Sequence, residues 1–333
     1  MKGSRHFRVS ALLSACVMSL IATASWSQPL TWLGTLPGGN SSEAWGVSAD
    51  GTVVVGGALN NAGQYRAFRW TASSGRMDDL GTLGGDDSVA YGVSANGAVV
   101  VGYAYNAAGE YRAFRWTASD GMVDLGTLGG DVSEAFGVSA DGLVVVGRAR
   151  NAAGQLRAFR WTASSGRMDD LGTLGGLESL AWGVSANGLV VVGEAENNAG
   201  QVRAFRWTES SGRMDDLGTL GGLESVAWGV SADGSVVVGW AENNAGQVRA
   251  FRWTALGGME DLNTTYASLL TDGSVLLVAS AISPDGRYIV GAGYNAATER
   301  FEAFLLDTIP EPASLLALGA GLVGLLLRRR SKQ

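Results

Sequence analysis

Short apolar runs alternate with polar turns along most of the chain, a pattern typical of β-strands. Near the start, residues 45–48 lead through Asp50-Gly51 to three consecutive valines at 53–55. This arrangement predicts a two-residue type I′ hairpin, because both central residues of that turn need positive φ. The valines do not alternate with polar residues, so we expect this strand to be buried on both faces. A third strand is predicted over 65–71 and a fourth over 77–83.

The same pattern recurs about every 46 residues. The pentapeptide Arg-Ala-Phe-Arg-Trp starts at residues 66, 112, 157, 203 and 249, in steps of 46, 45, 46 and 46, and a degenerate sixth copy starts at Glu302. The six units therefore cover most of the chain, and the last has an insertion near residues 266–278. One such unit cannot cover both faces of its own sheet, so neighbouring units must cover them.

Four strands per unit at this period predict an all-β fold, a six-bladed β-propeller of four-stranded blades. The two ends of the repeat region favour closure of the ring. Residues 31–36 correspond to the fourth strand of a unit and residues 301–306 to the third, so the first segment is expected to complete the last blade. An open β solenoid is the alternative, because the period alone does not define a closed ring.

Composition excludes most kinds of catalysis. The chain has 333 residues, and its single His (His6) and single Cys (Cys16) lie within the first 27. Residues 28–309 therefore cannot hold a Ser-His-Asp or Cys-His site, a disulfide, or a zinc site built from His or Cys. They also contain no Lys, which excludes Schiff-base chemistry. We expect no catalytic residue, no metal and no cofactor.

The charge of the same region excludes nucleic acid as a partner. Without the seven basic residues and one acid of the two ends, residues 28–309 have 17 Arg, 30 acidic residues and a net charge of −13. Such a body repels phosphate backbones and lacks the basic patch of a nucleic-acid-binding protein.

The N-terminal end predicts a secretory signal peptide over residues 1–27. A short basic segment (1–8) precedes an apolar run (9–24) and small residues suited to cleavage after Ala24 or Ser27. The alternatives are an N-terminal membrane anchor, for which the run is short, and a lipoprotein signal ending at Cys16.

The C-terminal end has three features in order. Pro310, Glu311 and Pro312 precede an apolar stretch at 313–327, and Arg328, Arg329 and Arg330 follow it. A helix of that length spans about 22 Å, and the arginines are expected to hold its end in the cytoplasm, with the body outside. Residues 309–330 closely resemble the PEP-CTERM sorting signal of Gram-negative bacteria. The resemblance implies an exosortase as partner, cleavage near Pro-Glu-Pro, and delivery from the inner membrane to the cell surface or extracellular matrix. A plain tail anchor is the alternative.

These boundaries divide the chain into a signal peptide (1–27), a six-unit repeat body (28–308) and a sorting and anchor segment (309–333). Residues 33–306 resemble HAF repeats, a bacterial repeat family named for a His-Ala-Phe core. The flanking Asp-Leu-Gly-Thr-Leu-Gly-Gly and Gly-Val-Ser-Ala-Asp-Gly segments match that family, whereas the His position is Arg66 and its equivalents, or Glu302. The resemblance implies an extracellular protein and carries no enzymatic activity.

Two charged positions recur in nearly every unit. Two sets of residues occupy these positions: Asp79, Asp124, Asp170, Asp216 and Asp261 just before the leucine of the predicted fourth strand, and Arg69, Arg115, Arg160, Arg206 and Arg252 in the third strand. We interpret them as cross-strand ion pairs that build the blades. A ring of carboxylates for Ca²⁺ is the alternative, although no Asp-x-Asp-x-Asp loop is present.

Positions that differ among otherwise similar units are the candidates for ligand binding, because recognition can be placed on a constant scaffold. They follow the Val-Gly of the second strand and share one strand face: Tyr103, Tyr105, Arg148, Arg150, Glu194, Glu196, Trp240 and Glu242. The loops at 40–43, 86–89, 131–134, 177–180 and 223–226 also vary. Neutral drift on a solvated surface is the alternative interpretation.

These observations predict an exported, non-catalytic surface or matrix protein, whose body binds extracellular polysaccharide or another surface protein. One alternative is an extracellular hydrolase that uses a pair of carboxylates. Its candidate acids are Glu43, Glu110, Asp131, Glu134 and Asp272. The other alternative is a purely architectural scaffold without a specific ligand.

Overall fold

A computed structural model describes residues 30–309, which form six antiparallel sheets. The predicted all-β fold is confirmed, and the series of six sheets is consistent with a six-bladed propeller. The chain divides into two units, residues 1–32 and 33–333, and all six sheets belong to the second. The predicted signal peptide and the predicted anchor at 313–327 lie outside the described residues.

The strands follow the repeat. Sheet 1 comprises β1 (Ser42–Val47), β2 (Val53–Leu59), β3 (Tyr65–Thr71) and β4 (Arg76–Asp79). Sheet 2 comprises β5 (Gly84–Val93), β6 (Val100–Asn106), β7 (Tyr111–Thr117) and β8 (Gly121–Asp124). Sheet 3 comprises β9 (Gly129–Val138), β10 (Val144–Asn151), β11 (Leu156–Thr162) and β12 (Arg167–Asp170).

The second half repeats this order. Sheet 4 comprises β13 (Gly175–Val184), β14 (Val190–Asn197), β15 (Val202–Thr208) and β16 (Arg213–Asp216). Sheet 5 comprises β17 (Gly221–Val230), β18 (Val236–Asn243), β19 (Val248–Thr254) and β20 (Gly258–Asp261). The predicted insertion contains α1 (Leu262–Thr265) and a 3-10 helix (Ala267–Leu269). Sheet 6 comprises β21 (Val275–Ile282), β22 (Tyr288–Asn295) and β23 (Arg300–Asp307).

The predicted hairpins are present, but the predicted turn type is wrong. In the first hairpin Gly51 N–H donates to Ser48 O, and φ is positive at Gly51 (72°) but not at Asp50. Side-chain bonds account for this wider turn. Asp50 Oδ1 accepts from Ser48 Oγ at 2.7 Å and from Thr52 N–H at 3.0 Å, and Ser48 Oγ accepts from Val53 N–H. The Asp50 and Ser48 side chains thus accept hydrogen bonds from backbone N–H groups that carbonyl oxygens would accept in a two-residue turn.

The fourth strand is shorter than predicted. It ends at Asp79, whose Oδ1 accepts from Gly81 N–H at 2.8 Å and turns the chain out of the sheet. The residues that follow form a linker to the next sheet. Its leucines, Leu80 and Leu83, pack in the apolar layer between sheets 1 and 2.

Each of sheets 2 to 5 packs one face on the sheet before it and the other on the sheet after it. We call these the rear and the forward face. Val53, Val55 and Ala67 on the forward face of sheet 1 pack on Val100 and Phe114 on the rear face of sheet 2, and the same layer recurs at the next four boundaries. The prediction that the valine strands are buried on both faces is confirmed, because Val100 and Val101 are both fully buried.

Polar contacts also join successive sheets. Ala49 N–H donates to Ala95 O in the next hairpin at 3.0 Å, and the series continues from hairpin to hairpin until Ala232 N–H donates to Pro284 O. The third-strand arginine reaches forward as well. Arg69 donates to Gly97 O at 3.0 Å and lies 6.0 Å from the centre of the Trp116 ring.

The predicted cross-strand pairs between the recurring Arg and Asp are therefore wrong. The arginines of sheets 1 to 4 extend forward to a carbonyl oxygen of the next hairpin. The aspartates instead accept backbone N–H groups of their own linkers. Arg252 of sheet 5 differs, because it donates to its cross-strand neighbour Glu260 at 2.9 Å. The arginine thus serves the first four boundaries, and the aspartate serves the linker of every one of the first five sheets.

The two ends of the series differ from the prediction. Among the described residues, 31–36 form no strand and sheet 6 has three strands, so the expected pairing of these segments is wrong. Residues 34–39 are held instead in a turn, with Thr35 Oγ1 donating to Gly39 O, while Leu36 is buried against Phe68 of sheet 1. Within residues 30–309, no strand of sheet 6 makes an extensive contact with a strand of sheet 1. The rear face of sheet 1 and the forward face of sheet 6 are exposed at Val47 (61%) and Val290 (42%).

The hairpin aspartates should make the stability of the fold depend on pH in the acidic range. Hydrogen bonds from Ser231 and Ser235 lower the pKa of Asp233 from 3.8 to about 2. Because the pKa is lower in the folded state, this stabilisation is complete above about pH 3.8 and is lost as the pH falls towards 2. The substitution Asp233→Asn introduces the residue that units 2 and 4 have at this position. In unit 2, Asn96 accepts the corresponding hydrogen bonds of the turn.

We expect Asp233→Asn to lose less stability than the wild type between those two pH values, in urea unfolding followed by circular dichroism. Asp169→Asn, which removes an exposed carboxylate of the fourth strand, should keep the acid sensitivity of the wild type. Identical pH profiles for the wild type and Asp233→Asn would contradict the role given to this turn.

Candidate functional site

The structure brings the two sets of variable positions together. The last residue of each variable loop is the cross-strand partner of the first variable residue in the second strand. The pairs are Glu43 with Gly57, Val89 with Tyr103, Glu134 with Arg148, Leu180 with Glu194, and Val226 with Trp240. Side chains of directly opposed residues are neighbours on one sheet face. Each sheet therefore displays its own combination of two side chains at the same place.

In sheets 1 and 2 these positions line an aromatic cleft of about 420 Å³. Its lining residues come from both sheets and are Glu43, Trp45, Tyr65, Asp87, Val89, Tyr91, Tyr103 and Tyr105. The volume falls within the range of roughly 300–1,000 Å³ that is usual for ligand sites. The cleft thus includes the predicted ligand-binding residues Tyr103 and Tyr105.

Contacts between the rings hold the aromatic side chains of this cleft in place. Tyr91 is the hub: its ring centre lies 6.1 Å from that of Trp45, 5.8 Å from Tyr103 and 5.7 Å from Phe136. Burial raises the pKa of Tyr103 to about 12, and Tyr91 and Tyr105 add to this rise. The Tyr103 phenol is therefore uncharged at neutral pH. Trp45 is the most exposed ring, with 56% of its surface accessible.

Two carboxylates lie in the same cleft. Asp87 Oδ1 accepts from the backbone N–H of Tyr65 at 2.7 Å, which fixes its position between sheets 1 and 2. Glu43 is exposed at the other side. Burial raises the pKa of Tyr65, and the neighbouring Glu43 carboxylate raises it further. The lining contains two acids and no basic residue, so the cleft is acidic as well as aromatic.

In sheets 3 and 4 the variable positions carry charge instead of aromatic rings. Arg148 donates to Glu134 Oε1 at 2.7 Å and its guanidinium lies 5.7 Å from the centre of the Phe136 ring. Burial raises the pKa of Glu194, although the neighbouring side chain of Trp182 and the positive charge of Arg148 partly offset this rise. Because Arg148 and Glu134 satisfy each other, this surface is less available to a ligand than the aromatic cleft.

The remaining predicted residues support their own loops. Arg150 lies 3.4 Å from Asp131, Glu196 accepts from Leu177 N–H at 3.0 Å, and Glu242 accepts from Leu223 N–H at 3.1 Å. Trp240 lies beside Val226 in sheet 5, away from the aromatic cleft. The structure thus does not bring all eight predicted residues into one site.

Four of the five candidate acids of a hydrolase already have partners of their own. Glu134 and Asp131 pair with arginines, Glu110 Oε2 lies 2.6 Å from Arg112, and Asp272 accepts from Ser274. Of the five acids, the cleft contains Glu43. In the part of the chain that the structure describes, no group of three His, Cys, Asp or Glu residues could hold a metal ion.

Sequence reasoning missed Trp45, Tyr65 and Tyr91. The signal was present in the alignment of the units. The first strand carries an aromatic residue in the same register in sheets 1 to 5, at Trp45, Tyr91, Phe136, Trp182 and Trp228. The third strand starts with tyrosine in the first two units, at Tyr65 and Tyr111, but with Leu or Val in the next three. Aromatic residues are therefore concentrated where sheets 1 and 2 meet.

The C-terminal tail matches a known family model. The PEP-CTERM protein-sorting motif matches residues 308–330, which confirms the predicted sorting signal at this end. The motif indicates an exported protein that an exosortase sorts. It covers a short part of the chain, so it assigns no family to the repeat body. None of the helices within residues 30–309 is long and apolar enough to cross a membrane.

The body is similar to solved propeller structures in fold alone. TolB from Agrobacterium tumefaciens aligns with a TM-score of 0.51 and 15% identity, over 81% of this chain and 91% of that one. The β-propeller domain of the Trilobed protease from Pyrococcus furiosus, which has an open velcro topology, aligns with a TM-score of 0.52 and 10% identity, over 82% of each chain.

The chain spans 53% of TolB from Acinetobacter baumannii, at 14% identity and a TM-score of 0.47. No curated protein matches the chain. The resemblance to HAF repeats therefore stays a prediction.

Proposed function

We propose that this protein is an exported, non-catalytic surface or matrix protein of HAF-repeat type, which binds extracellular polysaccharide in the cleft between sheets 1 and 2. The observation that carries the proposal is the combination of five aromatic side chains with Glu43 and Asp87 around one cleft. A sugar ring has an apolar C–H face and a rim of hydroxyl groups. Aromatic rings stack on the C–H face, and carboxylates accept hydrogen bonds from the hydroxyl groups.

The charge of the cleft narrows the class of glycan. Its lining has two acids and no basic residue, and the region 28–309 has a net charge of −13. Chains of uronic acids or phosphorylated sugars would be repelled. A neutral or amino-sugar polysaccharide is the class that this cleft accepts.

Glycan-array screening followed by titration calorimetry tests the site. Trp45→Ala should weaken binding of a neutral or amino-sugar hit by about tenfold, because loss of one stacking ring removes about 1–2 kcal/mol. The exposed position of Trp45 keeps the fold unaffected by this substitution. Trp228→Ala is the matched control, since Trp228 occupies the position of Trp45 in sheet 5 and is not part of the cleft.

Three results would contradict the proposal. Unchanged affinity of Trp45→Ala would remove the cleft from the binding site. Absence of binding to every glycan and to matrix extracts would favour the architectural scaffold. Shortened glycan products that disappear in Glu43→Gln would favour the carboxylate-dependent hydrolase.

For the two ends, we propose export by the signal peptide, an inner-membrane anchor at 313–327 before processing, and cleavage by an exosortase near Pro310, Glu311 and Pro312. Arg328, Arg329 and Arg330 would keep the end of the anchor in the cytoplasm. The match of residues 308–330 to the PEP-CTERM motif supports this order of events.

Intact-mass measurement of the protein recovered from the cell surface tests the processing. We expect a mature chain that begins after Ala24 or Ser27 and ends near residue 312. Replacement of the three arginines by glutamine should leave the tail attached, in the membrane fraction. A full-length C-terminus on the surface form would contradict cleavage.

A further inference from the structure

The forward face of sheet 6 differs from the forward faces of the other five sheets. Its side chains are apolar and alternate along two strands with buried or half-buried neighbours: Tyr288, Val290, Ala292, Phe301, Ala303 and Leu305. All six are exposed, with Phe301 at 77% and Leu305 at 69%. In sheets 1 to 5 the positions of Val290 and Ala303 are fully buried by the next sheet.

Sheet 6 also lacks the groups by which a forward face binds a rear face. Leu305 replaces the arginine that, in sheets 1 to 4, donates to the next hairpin at Gly97 and its equivalents. Pro284 has no N–H group, so it cannot extend the chain of bonds between hairpins that starts at Ala49. Ala281 occupies the position that Gly46 has in sheet 1. A Cβ atom added at Gly46 would lie 3.0 Å from the carbonyl oxygen of Tyr91 in the next sheet, so this position favours glycine at a boundary. The face is therefore unsuited to the rear face of a first sheet.

The forward face of sheet 6 also differs from the polar face that usually ends a repeat array. The terminal units of repeat arrays normally have a polar outer face, which keeps them soluble. Here the change runs in the opposite direction, because arginine is replaced by leucine and the exposed Phe301 packs edge-on against Tyr294 at 5.7 Å. An exposed apolar face with an aromatic pair is typical of a protein interface.

We propose that two copies of this chain pack through the forward faces of their sixth sheets, related by a two-fold axis. A two-fold contact joins the same patch on both copies, so it needs neither the arginine nor the hairpin N–H group that sheet 6 lacks. Two sheets packed face to face about 10 Å apart need only apolar side chains between them.

The size and the position of the face indicate a weak dimer. Three strands of eight residues form a face of roughly 26 Å by 14 Å, which places the contact at the transient end of interface sizes. The described chain ends at Ile309, directly after β23, and the tail follows. If the tail anchors the protein as proposed above, two anchored copies hold their sixth sheets at the same height above the membrane, which raises their local concentration.

Sedimentation equilibrium of the soluble body, without signal peptide and tail, tests the dimer independently of the anchor. We expect reversible dimerisation of the wild type. Leu305→Arg, which restores the residue of the other five units, should weaken it at least tenfold. Val47→Arg is the matched control, because Val47 is equally exposed on the rear face of sheet 1 and should leave the dimer intact.

Cysteine cross-linking identifies the axis. The body contains no cysteine, so Val290→Cys, Ala292→Cys or Ala303→Cys can form a disulfide only with the same residue of another copy. We expect at least one of these to cross-link under mild oxidation, Leu305→Arg to abolish the reaction, and Val47→Cys not to react. A monomer at every concentration would overturn the proposal. So would loss of the dimer in Val47→Arg, since that would indicate a contact between sheet 6 and sheet 1.

Discussion

The apolar layer between successive sheets is the interaction on which the rest of the structure depends. A four-stranded sheet with valines on both faces cannot be covered by its own unit, and each layer is completed by the phenylalanine of the next sheet. The hairpin N–H group reaches forward to a carbonyl oxygen at all five boundaries, and the arginine does so at the first four, which fixes the register of these layers. Sheet stacking therefore determines where the variable side chains lie.

The candidate site follows from this stacking. No single sheet contains the aromatic cleft, because Trp45 and Tyr65 come from sheet 1 while Tyr91 and Tyr103 come from sheet 2. The scaffold is repeated from unit to unit. The residues at the position of the Glu43–Gly57 pair, in contrast, differ from unit to unit. The boundary of sheets 1 and 2 is aromatic and acidic, sheet 3 carries the ion pair of Arg148 with Glu134, and the forward face of sheet 6 is apolar.

Much of the fold could be predicted from the repeat, since strand 65–71, the buried valines and the number of units depend on local pattern. The turn type could not, because Ser48 and Asp50 bond to the backbone and favour a wider loop than an Asp-Gly pair alone implies. The role of Arg69 was also missed, because its partner is a carbonyl group in the next unit. In the site, variability identified Tyr103 and Tyr105, but it could not identify Trp45, whose position is aromatic in five units and so resembles a constant core residue.

Native-state hydrogen exchange, measured residue by residue on dilute single copies of the body, tests the dependence of each sheet on its neighbours most directly. If the layers between sheets provide the stability, amide protection should be highest in sheets 3 and 4, at Val145 and Val191, and should fall towards Val54 in sheet 1 and Val290 in sheet 6. Equal protection in all six sheets would show that each sheet is stable without the layer that its neighbour provides, and would contradict this account.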